Sequence, residues 1–187
     1  MHNNNQHIKQ LLQRCKNGEP SAQFEIYKCY YKAMYNTALR ILKDRFEAED
    51  IMQESFLTAF TKLGTFKSES KYENNKVPFG SWLKRIVINK SLNQLKKSNR
   101  FEQWDDNLMI NSLTDDENND NYTNVKAAQI VPAIKTLKNN YSVVLSLSLI
   151  EGFDNEEIAD ILNISNQLVR TTISRAKTKL RKILTNE

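Results

Sequence analysis

Outside residues 101–124, apolar positions along the chain recur at three- and four-residue steps, the period of an amphipathic helix. Glu19, Pro20 and Ser21 open one such helix, with Phe24, Tyr27, Tyr31, Met34, Tyr35, Ala38, Ile41 and Leu42 on its apolar side. Asp44 precedes a second, Glu47 to Leu63. Its buried stripe reads Ala48, Ile51, Met52, Ser55, Ala59 and Leu63, and its other face reads Glu49, Asp50, Gln53, Glu54 and Leu57; Gly64 ends it. Thr65 to Pro78 is polar and irregular. A third helix begins near Phe79 to Trp82. Trp82, Leu83, Ile86, Val87, Leu92 and Leu95 are its apolar positions, with Trp82 read as mostly core. Lys84, Arg85, Asn89, Lys90, Asn93, Lys96 and Lys97 form a cationic surface. Helices joined this closely imply a small bundle.

The pattern resumes at Val125. Val125, Ala128, Ile130, Val131, Ile134 and Leu137 predict one helix, and Tyr141 to Ile150 predicts a short apolar one. Asp154 and Glu157 have the spacing of a capping box, which starts a helix carrying Ile158, Ala159, Ile161 and Leu162 inward. Asn163 suits a left-handed turn and Ser165 suits an N-cap. The next helix buries Val169, Ile173, Ala176, Leu180 and Ile183 or Leu184. Two helices around so tight a turn are a helix-turn-helix, whose second helix lies in a DNA major groove. Its outward residues are Asn166, Gln167, Arg170, Thr171, Ser174 and Arg175. Asn and Gln pair bidentately with adenine and Arg with guanine, while Lys177 and the lysines beyond it suit phosphates.

Charge sharpens the division. The 187 residues carry a formal +5. Trp82 to Arg100 holds six bases and no acid, whereas Phe101 to Asn124 holds seven acids and no base. The acidic, Asn-rich stretch shows no helical or strand period and reads as an extended linker. The expected architecture is therefore all-α, two small helical domains joined by an acidic linker, the second containing the helix-turn-helix. Residues 1–18 read as a flexible N-terminal tail and first helix, 19–100 as the first domain, 101–124 as the linker and 125–187 as the second domain.

Other classes find little support. The apolar run Val143 to Ile150 is far shorter than the roughly 20 residues that span a bilayer. The start, MHNNNQHIKQ, has no signal-like apolar core, so a cytoplasmic protein with no direct membrane insertion is expected. Cys15 and Cys29 have no partners at metal spacing, and His2 and His7 fall in the Asn-rich tail. The four glycines are isolated, so there is no phosphate loop. No metal or cofactor is expected, and no enzyme. Two basic runs, each closing a helical unit, favour nucleic acid. On the residues alone, a duplex-binding regulator, an RNA-binding module and a pure interaction protein all stay open.

The ordered motifs resemble bacterial sigma factors of the extracytoplasmic-function group of the sigma-70 family, over about Phe24 to Leu184 apart from the linker. Glu47 to Phe56 (EAEDIMQESF) resembles the family's helix that docks on the clamp of RNA polymerase. Phe79 to Ile86 (FGSWLKRI), followed by Asn89, resembles the start of its promoter-melting helix. Glu157-Ile158-Ala159, Ile164-Ser165, Val169-Arg170 and Arg175-Ala176 resemble its −35-reading helix-turn-helix. Asn166, Gln167 and Leu168 stand where the family often has a small residue and Thr, so no base preference is carried over. The resemblance implies a promoter-specific initiation factor that binds core RNA polymerase through Asp50, Gln53, Glu54 and Phe56. It implies single-stranded −10 DNA on Trp82, Lys84, Arg85, Asn89, Lys96 and Lys97, with one base flipped near the Thr65 to Pro78 loop. It implies duplex −35 DNA on Ser165, Asn166, Gln167, Arg170, Thr171, Ser174, Arg175 and Lys177, and control by an anti-sigma factor.

Overall fold

A computed structural model describes residues 2–66, 78–101, 104 and 127–185. The predicted linker lies outside these except for Phe101 and Trp104, as does most of the Thr65 to Pro78 loop. All regular structure among the described residues is helical. The chain divides into two compact units, Met1–Leu95 and Lys96–Glu187.

The first unit contains α1 (His2–Lys16), α2 (Pro20–Leu42), α3 (Arg45–Thr61) and all but the last two residues of α4 (Phe79–Lys97), with a 3-10 turn at Leu63–Thr65. The helix expected in the N-terminal segment is α1, which runs from His2 to Lys16. Leu11, Leu12 and Cys15 of α1 are buried, and Arg14 Nε meets Glu19 Oε2 at 2.8 Å. His7, expected in that tail, sits on the helix with Nε2 3.9 Å from Glu25. Two turns of apolar side chains facing α2 are enough to recruit an otherwise polar segment, because packing outweighs weak propensity.

Helix α2 ends at Lys43, whose left-handed backbone (φ 62°) lets its N–H reach the Leu39 carbonyl. Asp44 then caps α3, its Oδ1 accepting from the Glu47 N–H at 3.0 Å. The predicted inner stripe of α3, Ala48, Ile51, Met52, Ser55 and Ala59, is buried throughout. The Ser55 hydroxyl donates to the Ile51 carbonyl at 2.6 Å, which satisfies it inside the core. On α2, Met34, Ala38, Ile41 and Leu42 are buried as expected, and only the first turns differ. Ile26 is buried, whereas Phe24 is 61% exposed beneath the Lys28 ammonium. On α4, Leu83, Val87 and Ile88 are fully buried, each stabilising by roughly 1.5–3 kcal/mol.

In the second unit, α5 (Ala127–Thr136), α6 (Asn139–Leu145), α7 (Asn155–Leu162) and α8 (Asn166–Thr185) enclose a core of Ala133, Ile134, Leu137, Leu145, Ala176 and Leu180. A π-helical turn, Ser146–Ile150, extends α6. Gly152, at φ 79°, turns the chain toward α7, a conformation glycine adopts without Cβ strain. Val131, expected inward on α5, is exposed; Leu168 and Thr172, not expected inward, are buried on α8.

Candidate nucleic-acid and partner surfaces

The outer face of α3 follows directly from its inner one. Burying Ala48, Ile51, Met52, Ser55 and Ala59 leaves Glu49, Asp50, Gln53 and Glu54 exposed. Gln53 Nε2 lies 3.5 Å from Glu49 Oε1, so the face is polar and only loosely tied. Its two ends are apolar: Phe46 is 82% exposed and Leu57 68%. Phe56 does not join this face. It is buried, its ring 4.9 Å from Tyr27 and 6.0 Å from Phe60. One residue along a helix is a 100° rotation, which turns Phe56 into the α2 contact and Leu57 out to solvent. Phe46 and Leu57 are what the motif-based site missed; both break the apolar period of the helix, and that was the available signal.

Helix α4 presents Arg85, Asn89 and Lys96 within one arc of its surface, and Lys97 is exposed about 100° further around from Lys96. Lys84 is half-buried and about 100° around the helix from Arg85, so the structure does not bring it into that stripe. Trp82 is half-buried in an aromatic cluster, 5.0 Å from Phe66 and 5.7 Å from Phe79. Phe79 in turn meets Tyr30 of α2 edge-on at 5.5 Å. Burial pushes the Tyr30 phenol above its ordinary pKa, so it stays protonated through the neutral range. The cluster stands at both ends of residues 67–77; the expected base pocket falls on those residues, outside the described ones. Gly80 permits the cluster. A Cβ there would lie 2.8 Å from the Tyr30 ring.

The helix-turn-helix forms as its capping chemistry dictates. The Glu157 N–H donates to Asp154 Oδ1 at 2.8 Å, and the Asp154 N–H donates to Glu157 Oε2 at 3.0 Å. Asn163 takes the left-handed conformation (φ 56°), and the Ile164 N–H donates to the Ala159 carbonyl at 3.1 Å. Ser165 Oγ accepts from the Leu168 N–H at 3.2 Å. That hydroxyl therefore starts α8 and is already engaged.

Gln167, Arg170, Ser174 and Lys177 then fall on one exposed line of α8. Asn166, Thr171 and Arg175 flank it, each half-buried, the Thr171 hydroxyl donating to the Gln167 carbonyl at 3.0 Å. Arg170, Ser174 and Lys177 also line a shallow cleft of about 230 Å³ with Ile173 and with Asn155, at the N-terminal end of α7. Arg170 and Lys177 make that cleft cationic, whereas the first turn of α7 is already capped by Asp154 and carries Glu156 and Glu157. Lys179 lies over the Tyr141 ring at 5.6 Å, so its ammonium is held against the second unit's own surface.

Two protein-family models match this chain: Sigma-70 region 2 over residues 26–101 and Sigma-70 region 4 over residues 128–180, together more than half of its length. The chain is 28% identical to the ECF RNA polymerase sigma factor SigW of Bacillus subtilis, over 95% of this chain and 96% of that one. It is 26% identical to RNA polymerase sigma-H factor of Pseudomonas aeruginosa, over 94% and 93%. The fold is similar to the sigma factor RpoE solved with the anti-sigma factor NepR from Bartonella quintana, with a TM-score of 0.57, 22% identity, and coverage of 86% of this chain and 95% of that one. It is similar also to CnrH solved with the cytosolic domain of CnrY, at 0.56 and 22%, covering 95% and 96%. Sigma regions 2 and 4 bind core RNA polymerase and promoter DNA, which is the use the two surfaces suit. No helix among the described residues is long and apolar enough to cross a membrane. The chain belongs to the sigma-70 family, as an RNA polymerase sigma factor of its extracytoplasmic-function group.

Proposed function

We propose the following division of labour along the chain. The first domain, residues 19–100, docks on core polymerase with Asp50, Gln53 and Glu54 as acceptors and Leu57 as an apolar anchor, Phe56 supporting the helix from inside. Carboxylates and amides so exposed suit a partner surface carrying arginines, which bind carboxylates bidentately. Arg85, Asn89, Lys96 and Lys97 track the −10 strand once it is single-stranded, and Trp82 offers it an aromatic surface for stacking. The linker, 101–124, repels DNA by its charge and separates this domain from the −35 reader, 125–187. There Gln167 and Arg170 meet base edges, Ser174 and Lys177 meet phosphates, and Asn166, Thr171 and Arg175 border them; Ser165 positions α8. The chain breaks no bond itself; polymerase supplies the chemistry. It works in the cytoplasm, and an anti-sigma factor holds it inactive by covering these surfaces. Two structural neighbours solved with such partners support that extension.

The observation that carries this reading is the pairing, in one chain, of an acceptor-rich α3 face with a capped base-reading helix. A regulator that bound duplex DNA alone would leave the α3 face without use. The test is transcription from a pool of random promoter fragments by core polymerase with and without the protein. Starts that appear only with it, sharing two upstream elements at fixed separation, support the proposal. With polymerase known to be active, the absence of such starts overturns it.

A further inference from the structure

Lys90 is the cation on α4 that the motif-based site leaves out, and its place is specific. Its Nζ lies 3.1 Å from Oε2 of Glu54 on α3. One turn further along α4, Gln94 Nε2 donates to Glu47 Oε1 at 3.3 Å. The two contacts run antiparallel along the α3–α4 seam. They join the helix proposed to dock on polymerase to the helix proposed to hold the −10 strand.

The pair is built to exchange. Glu54 keeps 61% of its side chain exposed while paired, so its carboxylate can still accept a second cation. Lys90 keeps 29% exposed, and its ammonium is a point charge on a flexible four-carbon stem. A half-exposed pair of this kind is only weakly held, and a bidentate arginine can displace it. On the other side of Lys90, three and seven residues on, stand exposed Asn93 and Lys97. Swinging the stem away from Glu54 therefore moves the ammonium toward Asn93 and Lys97, on the side of α4 that leads to Arg85, Asn89 and Lys96.

We propose that Lys90 and Glu54 form an exchangeable ion pair: a polymerase cation that takes Glu54 releases the Lys90 ammonium to a phosphate of the −10 strand. Polymerase binding and DNA binding by the first unit are then coupled through one carboxylate, and by linkage the coupling is reciprocal. The proposal rests on the docking role of α3. Its sign separates it from a purely structural role. A pin between α3 and α4 would weaken both activities when removed, whereas a competitor for Glu54 leaves polymerase a freer carboxylate when removed.

The experiment uses the full chain as wild type, Lys90→Met, Glu54→Gln and the double variant. Circular dichroism checks folding, and Lys90→Gln is a second neutral variant should Lys90→Met melt. Affinity for core polymerase is measured without DNA. Affinity of the assembled holoenzyme for a fork with a single-stranded −10 segment is measured across a salt series. The expectation is that Lys90→Met tightens polymerase binding about two- to fivefold. It also lowers the slope of log affinity against log salt by about 0.7, one single-strand phosphate contact. In the Glu54→Gln background, Lys90→Met leaves polymerase affinity unchanged. Unchanged or weakened polymerase binding by Lys90→Met, or effects of the two substitutions that simply add, overturns the exchange while leaving the docking role intact. Glu54→Gln that binds polymerase as well as wild type overturns the docking role itself, and the exchange with it.

Discussion

Replacing Gly80 with Ala sets two calculable effects against each other. Gly80 is the second residue of α4, where alanine would ordinarily favour the helix by about 0.5–1 kcal/mol. Its Cβ, however, would sit 2.8 Å from Cε1 of Tyr30, with the ring's Cδ1 and Cζ at 3.5 and 3.7 Å. That ring is rigid and leans edge-on against Phe79 at 5.5 Å, so it cannot swing aside as a lysine tip would. Overpacking of this kind costs about 1–3 kcal/mol. Gly80→Ala should therefore be destabilising by roughly 0–2.5 kcal/mol, the difference between those terms. In a Tyr30→Ala background the obstruction is gone, and the same substitution should stabilise by about 0.5–1 kcal/mol. The assay is urea unfolding followed by tryptophan fluorescence in a Trp104→Phe background, because Trp82 lies 5.7 Å from Phe79 and reports on this corner. A sign reversal between the two backgrounds is the expected result. If Gly80→Ala stabilises the protein equally in both, α4 does not approach α2 as described, and the aromatic cluster is not what orients its first turn.

Asp154→Ala removes the carboxylate that caps the Glu157 N–H, leaving the backbone half of the capping box, and should cost about 0.5–2 kcal/mol, read by denaturant melting, with −35 duplex affinity falling in parallel. Phe56→Ala should cost about 3–5 kcal/mol of stability, because its ring is buried, whereas Leu57→Ala should leave stability within about 0.5 kcal/mol and weaken polymerase binding several-fold. Arg170→Ala should cost about 1–3 kcal/mol on the preferred −35 duplex and relax preference at one position; Lys177→Ala should weaken all duplexes alike and reduce the salt slope by about 0.9. Cys29 is exposed and should react at once with a disulfide reagent, while buried Cys15 should react only on unfolding. Burial pushes the Cys15 thiol above its ordinary pKa, with Arg14 opposing. Its contribution to stability is therefore full below the ordinary thiol range and is lost as pH rises through the raised value, which stability measured from neutral to alkaline pH will show.

Local chemistry along the chain determined a great deal of this protein. Asp44, Asp154 with Glu157, Asn163 and Ser165 each adopt the cap or turn their side chains suit, because a cap needs only atoms three residues away. The inner stripe of α3 and the outward line of α8 follow from period alone, since both helices alternate sharply between small or apolar and polar residues. The ordered motifs then identified the family, and the two charge runs separated its units.

What only the tertiary structure decided is which of two nearby apolar residues turns inward. Phe24 and Ile26 are equally apolar as letters, as are Ile86 and Ile88, and a helix carries the two members of each pair on different faces; Phe56 was expected on the docking face and Leu57 was already placed outward by the period. The choice belongs to the neighbour. Tyr27 offers a ring to Phe56, which turns inward instead of joining the docking face. The same holds for α1, whose inward residues Leu11, Leu12 and Cys15 are set by the surface they cover. It holds too for Lys84, Lys90 and Lys179, identical charges by sequence. They are set apart by a half-buried position, a carboxylate 3.1 Å away and an aromatic ring beneath. Caps and periods are interactions within a few residues, so they are written along the chain; burial and ion pairing depend on atoms tens of residues away, which only folding brings within reach.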